Sequence, residues 1–262
     1  MSPDPAPRSR YAFAAAFLAC FVLAELVYSQ LDPAAQARLV AWASTNVANL
    51  EHEPVLPLLV SAFVAPGYFA AWPVLIALAL FGANRALGNG RTALVCLAGQ
   101  VIGSLVSEGI VACRVDVGQL SAAYRHLSDV GPSYVVVSAV VVALACGTWL
   151  VRALAAVDLV ILVFPGNIFG GLSQLDVAAV GHLTAMLTAA AAAAVILLRE
   201  RRRGASGRDV ADGGADAEGD RGRGGAQEQL ADRAAPERAV GQPGHHPAAG
   251  HGGDGGEPER DG

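Results

Sequence analysis

The sequence has no lysine and few charged residues of any kind. All 18 of its basic residues are arginine, and charged residues make up only 16% of its 262 residues. A soluble domain is typically about one-quarter charged. The shortage is sharper before residue 204, because residues 204–262 alone hold 12 acidic residues and 6 arginines. This composition argues against a soluble enzyme, and no nucleic-acid partner is expected.

The sequence also has few residues that could build a disulfide or metal framework. It has 4 cysteines and no Cys-x-x-Cys motif, and most of the cysteines fall within apolar runs. We therefore expect buried thiols, and neither a cofactor nor a bound metal. Three histidines in the polar C-terminal segment are expected to be solvated rather than metal-bound. The cysteines are Cys20, Cys96, Cys113 and Cys146, and the histidines are His245, His246 and His251.

Long apolar runs dominate the rest of the sequence. The chain is 53% hydrophobic, with a mean hydropathy of +0.43. About 20 residues of helix cross the roughly 30 Å of hydrocarbon in a bilayer. A single segment surrounded by lipid must be helical, because only a helix satisfies its own backbone hydrogen bonds. The sequence predicts six membrane-spanning helices, at residues 11–28, 56–81, 92–112, 131–150, 153–169 and 175–198.

The predicted fold class is therefore all-α, a polytopic six-span helical bundle at residues 11–203. Residues 1–10 are predicted to be a cytoplasmic N-terminus, and residues 204–262 a disordered cytoplasmic tail that lacks large apolar side chains. The first run is interpreted as an uncleaved span, because no convincing cleavage site follows it. With both ends inside, the inner segments hold nine arginines and the outer ones three. That asymmetry favours a plasma-membrane protein with cytoplasmic termini.

Helix-start signals lie at three places outside the apolar runs. Asp32 followed by Pro33 predicts a short helix in the first outer loop. Trp42 is typical of the membrane interface, so this helix is expected to lie at the bilayer surface. Asp129 is predicted to cap the fourth span, and Asp176 is placed similarly before the sixth.

Ser133, at the start of the fourth span, and His182, inside the sixth, are the candidate catalytic residues. A hydroxyl beside a neutral imidazole is the minimum for nucleophilic catalysis. A histidine inside a span is costly and by default indicates a functional site or a polar network. The alternative is structural, because serines in spans bond backbone carbonyls and histidines bond neighbouring helices. The spacing of the two residues alone does not distinguish a catalytic role from a structural one.

The segment at residues 61–107 resembles the second and third spans of the rhomboid family of intramembrane serine proteases. It has an aromatic-rich span that ends in a Gly, an Arg and a Leu-Gly turn, then a Gly-rich span. The family's Gly-x-Ser-Gly motif matches Gly131-Pro132-Ser133, and its histidine base matches His182. The resemblance extends over roughly residues 11–200 and is closest to divergent rhomboid-like membrane proteins of actinobacteria. It implies an intramembrane protease acting on single-span membrane proteins.

Three departures from the family pattern oppose catalysis. The family's His-x-x-x-Asn, which helps to hold the oxyanion, falls on Ala70 and Val74, whose side chains donate no hydrogen bond. Losing one such donor costs about 2.7–4 kcal/mol of transition-state stabilisation. Tyr134 replaces the glycine after the serine and is expected to fill space that a substrate backbone would approach. Asn46 and Asn49 are possible substitute amides, although asparagines there more often cap turns.

Gly131 completes the set of supporting oxyanion residues that the resemblance implies. Glu25 and Glu108 are expected to have structural or interfacial roles, either lining a water cavity or pairing with Arg114 or Arg125.

Three functions remain from the sequence. The first is a rhomboid-like protease with Ser133 as nucleophile and His182 as base. The second is a catalytically inactive rhomboid-like protein that binds membrane clients. The third, a transporter, is disfavoured because no internal repeat is visible. In each case the protein is expected to lie in, and contact, the lipid bilayer.

Overall fold

The computed structural model describes residues 9–67 and 70–203, and every regular element within these ranges is helical. The predicted tail and its three histidines lie outside the described residues. Nine α-helices occur within the described ranges, joined by short 3-10 turns. They are α1 Ala12–Ser29, α2 Pro33–Ala43, α3 Val47–His52, α4 Val55–Val60, α5 Trp72–Leu87, α6 Asn89–Asp116, α7 Ser133–Cys146, α8 Trp149–Val163 and α9 Val177–Arg203.

Three of these helices, α1, α6 and α9, are long and apolar enough to cross a membrane by length and composition. Helices α5 and α7 are also apolar but have only 16 and 14 residues. Helix α8, with 15 residues, contains one arginine and one aspartate. An all-helical chain with these apolar helices is an integral membrane protein.

The predicted second span, residues 56–81, is wrong as a single helix. Helix α4 ends at Val60, a 3-10 turn covers Ser61–Phe63, and α5 begins only at Trp72. Pro66 has no backbone N–H to continue a helix, and Gly67 has a φ of 98°, a left-handed conformation that favours glycine.

Glu25 of α1 supports this break. Its carboxylate accepts a hydrogen bond of 2.7 Å from the backbone N–H of Ala65. The side chain is almost completely buried. Where the helix is interrupted, the backbone N–H of Ala65 has no helical partner, and Glu25 supplies one. A backbone N–H in an apolar environment needs such a partner.

Helix α7 is the centre of the bundle. It packs against α5, α6 and α8, and most of its residues are buried. Its apolar residues surround the helix, as expected of a helix enclosed by others. Two glycines of α6 allow close approach: a Cβ at Gly99 would overlap Ser138 Oγ, and one at Gly103 would lie 3.1 Å from the carbonyl oxygen of Gly181 on α9. This packing brings α6, α7 and α9 together around the candidate site.

The short helix predicted from Asp32 and Pro33 is confirmed as α2, and its position at the bilayer surface stays a prediction. Asp32 is its N-cap and accepts a 2.9 Å hydrogen bond from the backbone of Ala35, with Pro33 at the first helical position. Trp42 near its end is half exposed.

Candidate functional site

Ser133 is the first residue of α7 and is half-buried. The preceding Gly131 has a φ of 141° and donates its backbone N–H to the carbonyl of Ser61 at 2.8 Å. This bond fixes the entry of α7 against the interrupted second segment. Ser133 borders a small crevice shared with Thr45, Ser61 and Gln100. The Ser133 hydroxyl makes no hydrogen bond to any residue that the structure describes.

His182 is 94% buried in the first half of α9, with a relative exposure of 6%. Its Nδ1 lies 2.9 Å from the carbonyl oxygen of Ile168. A carbonyl only accepts, so Nδ1 carries the proton and donates it. Nε2 has no hydrogen-bond partner within residues 9–67 and 70–203. Neither ring nitrogen is therefore bonded to Ser133.

Tyr134, rather than Ser133, contacts His182. The two rings meet edge to face, with centroids 5.1 Å apart and an angle of 82°. The Tyr134 hydroxyl donates to Asp129 Oδ2 at 3.0 Å and lies 3.4 Å from the carbonyl oxygen of Val177. A Cβ at Gly181 would overlap the Tyr134 ring and hydroxyl. Tyr134 thus occupies the space that is open because Gly181 on α9 has no side chain.

Asp129 does not cap α7, contrary to the sequence prediction. The N-cap position is Pro132, which has no side-chain cap. The Asp129 carboxylate instead accepts hydrogen bonds from Tyr134 and, at 3.1 Å, from Thr45 Oγ1. Its backbone N–H donates to Ser44 Oγ at 2.8 Å, and its carbonyl accepts from the Thr45 N–H at 3.0 Å. The segment before α7 is therefore bound to the segment between α2 and α3.

Burial raises the pKa of the Asp129 carboxyl above its ordinary value. The hydrogen bonds from Tyr134 and Thr45 lower it in part, and the nearby Asp176 carboxylate raises it further. Burial has the largest effect, because water stabilises the charged form better than two neutral hydroxyls do.

Asn46 and Asn49 hold the outer loop together. Asn46 is the N-cap of α3, and its Oδ1 accepts from the Asn49 N–H at 3.0 Å. The Asn49 amide donates to the carbonyls of Ala41 and Ser44, each at 2.8 Å. These bonds account for the amide hydrogens of Asn49. The oxyanion role assigned to the pair stays a prediction.

Ala70 and Val74 are the positions aligned to the family's oxyanion residues, and both are exposed. Ala70 precedes α5 and is exposed, and Val74 is 58% exposed on α5. The amide that does lie beside Ser133 belongs to Gln100, a buried residue that the sequence reasoning missed. Its Nε2 donates to Ser61 Oγ at 3.1 Å, and its Oε1 has no partner among the described residues. The sequence did contain a signal for Gln100, because this polar residue directly follows Gly99 on the face of α6 that carries small residues.

Of the alternatives for Glu25 and Glu108, pairing with Arg114 or Arg125 does not occur among the described residues. Arg125 instead binds Glu51 and Asp116, each at 2.6 Å. Glu108 is buried on α6, and its Oε1 has no partner in the part of the chain that the structure describes.

Two further contacts lie between the end of α6 and the start of α9. Arg114 donates to the backbone carbonyl of Gln174 at 2.9 Å, which ties α6 to the loop before α9. Asp176 accepts a 3.2 Å hydrogen bond from the N–H of Ala178, as expected of a cap for α9. Among the described residues, no group of histidine, cysteine, aspartate and glutamate could hold a metal ion.

The fold and site define an all-helical integral membrane protein with a buried tyrosine–histidine contact at its centre. A family model described as rhomboid-like protein matches residues 10–203. The match covers most of the sequence, so this chain belongs to the rhomboid-like family. No curated protein and no solved structure matches the chain.

Proposed function

We propose that this rhomboid-like protein binds single-span membrane proteins as clients and does not cleave them. It would cross the bacterial plasma membrane six times, with α5, α7 and α8 as short spans and both termini in the cytoplasm. The excess of arginine in the inner segments supports this orientation.

The observation that carries the non-catalytic proposal is the contact between Tyr134 and His182. A general base must reach its nucleophile, at about 2.6–3.2 Å between heavy atoms, somewhat looser without substrate. His182 directs Nδ1 to Ile168 and packs its ring against Tyr134, and it makes no hydrogen bond to Ser133.

An apolar groove between α5 and α8 supports client binding. It has a volume of about 590 Å³ and is lined by Leu78 and Phe81 on α5 and by Leu150 and Leu154 on α8. Leu150 and Leu154 are 57% and 42% exposed in the described structure. Without a hydrophobic driving force inside lipid, helices associate by packing, and a groove of this kind offers packing surface.

One observation favours a second candidate, the intramembrane serine protease. Because Nδ1 donates to Ile168, the neutral His182 ring keeps its lone pair on Nε2, which has no partner among the described residues. This is the tautomer that a base acting through Nε2 requires. In that candidate, Ser133 attacks the peptide carbonyl after a rearrangement that brings it to His182, and His182 takes its proton.

Labelling with a fluorophosphonate separates the two candidates. Wild type, Ser133→Ala and His182→Ala, each purified in detergent, would be compared with an active rhomboid protease as positive control. We expect no labelling of the wild-type protein. Labelling that disappears in both variants would establish an activated serine and replace the proposal with the protease.

Client binding can be tested separately by site-specific photocrosslinking in living cells. A photoreactive residue at Leu154, in the groove, would be compared with one at Leu23 of α1, which is equally apolar and 63% exposed. We expect adducts with single-span membrane proteins at Leu154 and few at Leu23. Equal adducts at both positions would indicate random contact in the membrane and contradict the proposal.

A further inference from the structure

Asp158 is a carboxyl group buried within α8, one of the proposed short spans. It has no exposed surface, and neither of its carboxyl oxygens has a hydrogen-bond partner within the described residues. It lies nine residues after the start of α8 at Trp149. At 1.5 Å per residue, that places it roughly 13 Å along the helix, close to half of a bilayer's hydrocarbon thickness.

The other buried or half-buried carboxyl groups in the described ranges have at least partial compensation. Glu25 accepts from the Ala65 N–H, and Asp129 accepts from Thr45 and Tyr134. Glu108 has one oxygen without a partner, whereas Asp158 has two. A buried polar group without partners is costly, and an ionisable residue inside a membrane helix is by default a functional residue.

No side-chain hydrogen bond from the helices packed against α8 reaches the Asp158 carboxyl group in the described ranges. Helix α8 packs against α5 and α7. On α7, the Ser138 hydroxyl donates to the Tyr134 carbonyl at 2.7 Å, and Tyr134 donates to Asp129. On α5, the Asn84 amide donates to Asn89 at 2.7 Å near the inner end. Both oxygens of Asp158 therefore remain available to a partner that the described part of the chain does not supply.

We propose that Asp158 binds a basic side chain, arginine or lysine, in the membrane-spanning helix of a client. This inference rests on the proposed client-binding function and names the chemistry that the client carries. An arginine or lysine in the apolar part of a span is itself costly and is stabilised by an acidic partner. The two unpartnered oxygens suit the two parallel N–H groups of a guanidinium.

The α5–α8 groove leads along α8 towards Asp158. Leu154, which lines the groove, lies four residues before Asp158 and so on the same side of the helix. No hydrogen bond or ion pair joins α5 to α8 among the described residues, and the Arg152 side chain donates to Ala145 at the end of α7. Separating α8 from α5 therefore breaks only apolar contacts, and it opens the covered face of α8 to the client.

Binding of two synthetic single-span peptides tests the inference. Both are leucine- and alanine-rich, and one carries a central arginine where the other carries leucine. Their affinities for the full-length protein in lipid nanodiscs would be measured by fluorescence with wild type, Asp158→Val, Asp158→Asn and Glu108→Gln. The last is the matched control, because it changes a buried carboxyl on another helix.

We expect wild type to bind the arginine peptide about 3- to 30-fold more tightly than the leucine peptide. The preference should disappear in Asp158→Val, fall in Asp158→Asn, which has almost the same shape, and persist in Glu108→Gln. A preference that survives in both Asp158 variants would overturn the inference.

Two other outcomes also decide the matter. If wild type binds both peptides equally, Asp158 has no role in recognition, although client binding stands. If it binds neither peptide, client binding fails and the inference fails with it.

The oligomeric mass of the same samples would be measured by light scattering. A dimer that is lost in Asp158→Val would assign the site to a second copy of the chain and overturn the inference.

Discussion

Tyr134 and His182 pack edge to face with ring centroids 5.1 Å apart, and the Tyr134 hydroxyl binds Asp129. This contact connects three separate parts of the chain: the segment before α7, α7 itself and α9. It also gives the histidine a structural partner. The proposed non-catalytic function therefore has a structural reason for a buried histidine in α9, namely its packing against Tyr134.

Tyr134→Phe should lower the stability of the protein, because it removes the hydroxyl that donates to Asp129. A hydrogen bond to a charged group contributes about 1.5–3 kcal/mol, and the buried carboxylate would lose one of its two hydroxyl donors. The measurement is thermal unfolding in detergent, compared with Tyr124→Phe, in which the tyrosine is 44% exposed. An equal effect of the two substitutions would show that the Asp129 bond contributes nothing.

Gly181→Ala should destabilise the protein, because the new Cβ would overlap the Tyr134 ring. Overpacking of a core typically costs about 1–3 kcal/mol. Gly109→Ala on α6 is the matched control, since a Cβ there meets nothing within 4 Å. Alanine stabilises a helix interior relative to glycine, so this control should be neutral or slightly stabilising. Similar unfolding temperatures for the two variants would contradict the close contact between α7 and α9.

The stability of the outer end should fall as the pH rises through the titration of Asp129. Its folded-state pKa is raised by burial above the unfolded value of about 3.9, so the folded state holds the proton more strongly. Its contribution to stability is therefore most favourable below about pH 4 and is lost as the pH rises through the folded pKa. Asp129→Asn cannot titrate, and its unfolding temperature should depend less on pH.

Unfolding of the Asp129→Asn variant should be measured between about pH 4 and pH 8, beside wild type. Asp32→Asn is the control, because asparagine replaces aspartate well as the N-cap of α2. If Asp129→Asn and wild type show the same pH dependence, Asp129 does not contribute to it.

Asp158→Val should stabilise the free protein in detergent. It replaces a fully buried carboxyl, both of whose oxygens lack partners among the described residues, with an apolar side chain. Replacing buried ionic groups with apolar ones often gains about 1–4 kcal/mol. Asp158→Asn should gain much less, because it keeps an uncompensated polar group. A lower unfolding temperature for Asp158→Val would show that Asp158 has a stabilising contact in the free protein.

The sequence predicted much of the helical architecture because its signals are local. Asp32 and Pro33 define the start of α2 by capping chemistry, and Asp176 caps α9 in the same way. The apolar runs predicted the long helices, because each helix satisfies its own backbone wherever it lies. The interrupted second span was missed although Pro66 and Gly67 are visible in the sequence. An apolar run continues across them, and membrane helices tolerate both residues when a neighbour supplies partners, as Glu25 does here.

The sequence by itself determined that the chain is a helical membrane protein, because its long continuous apolar runs can satisfy their own backbone hydrogen bonds in lipid only as helices. Only the tertiary structure decided which residue meets His182. Ser133 and Tyr134 are adjacent in the chain, and side chains one residue apart point about 100° apart around a helix. The rotation of α7 between α6 and α9, set by close approach at Gly103 and Gly181, therefore selects the tyrosine over the serine.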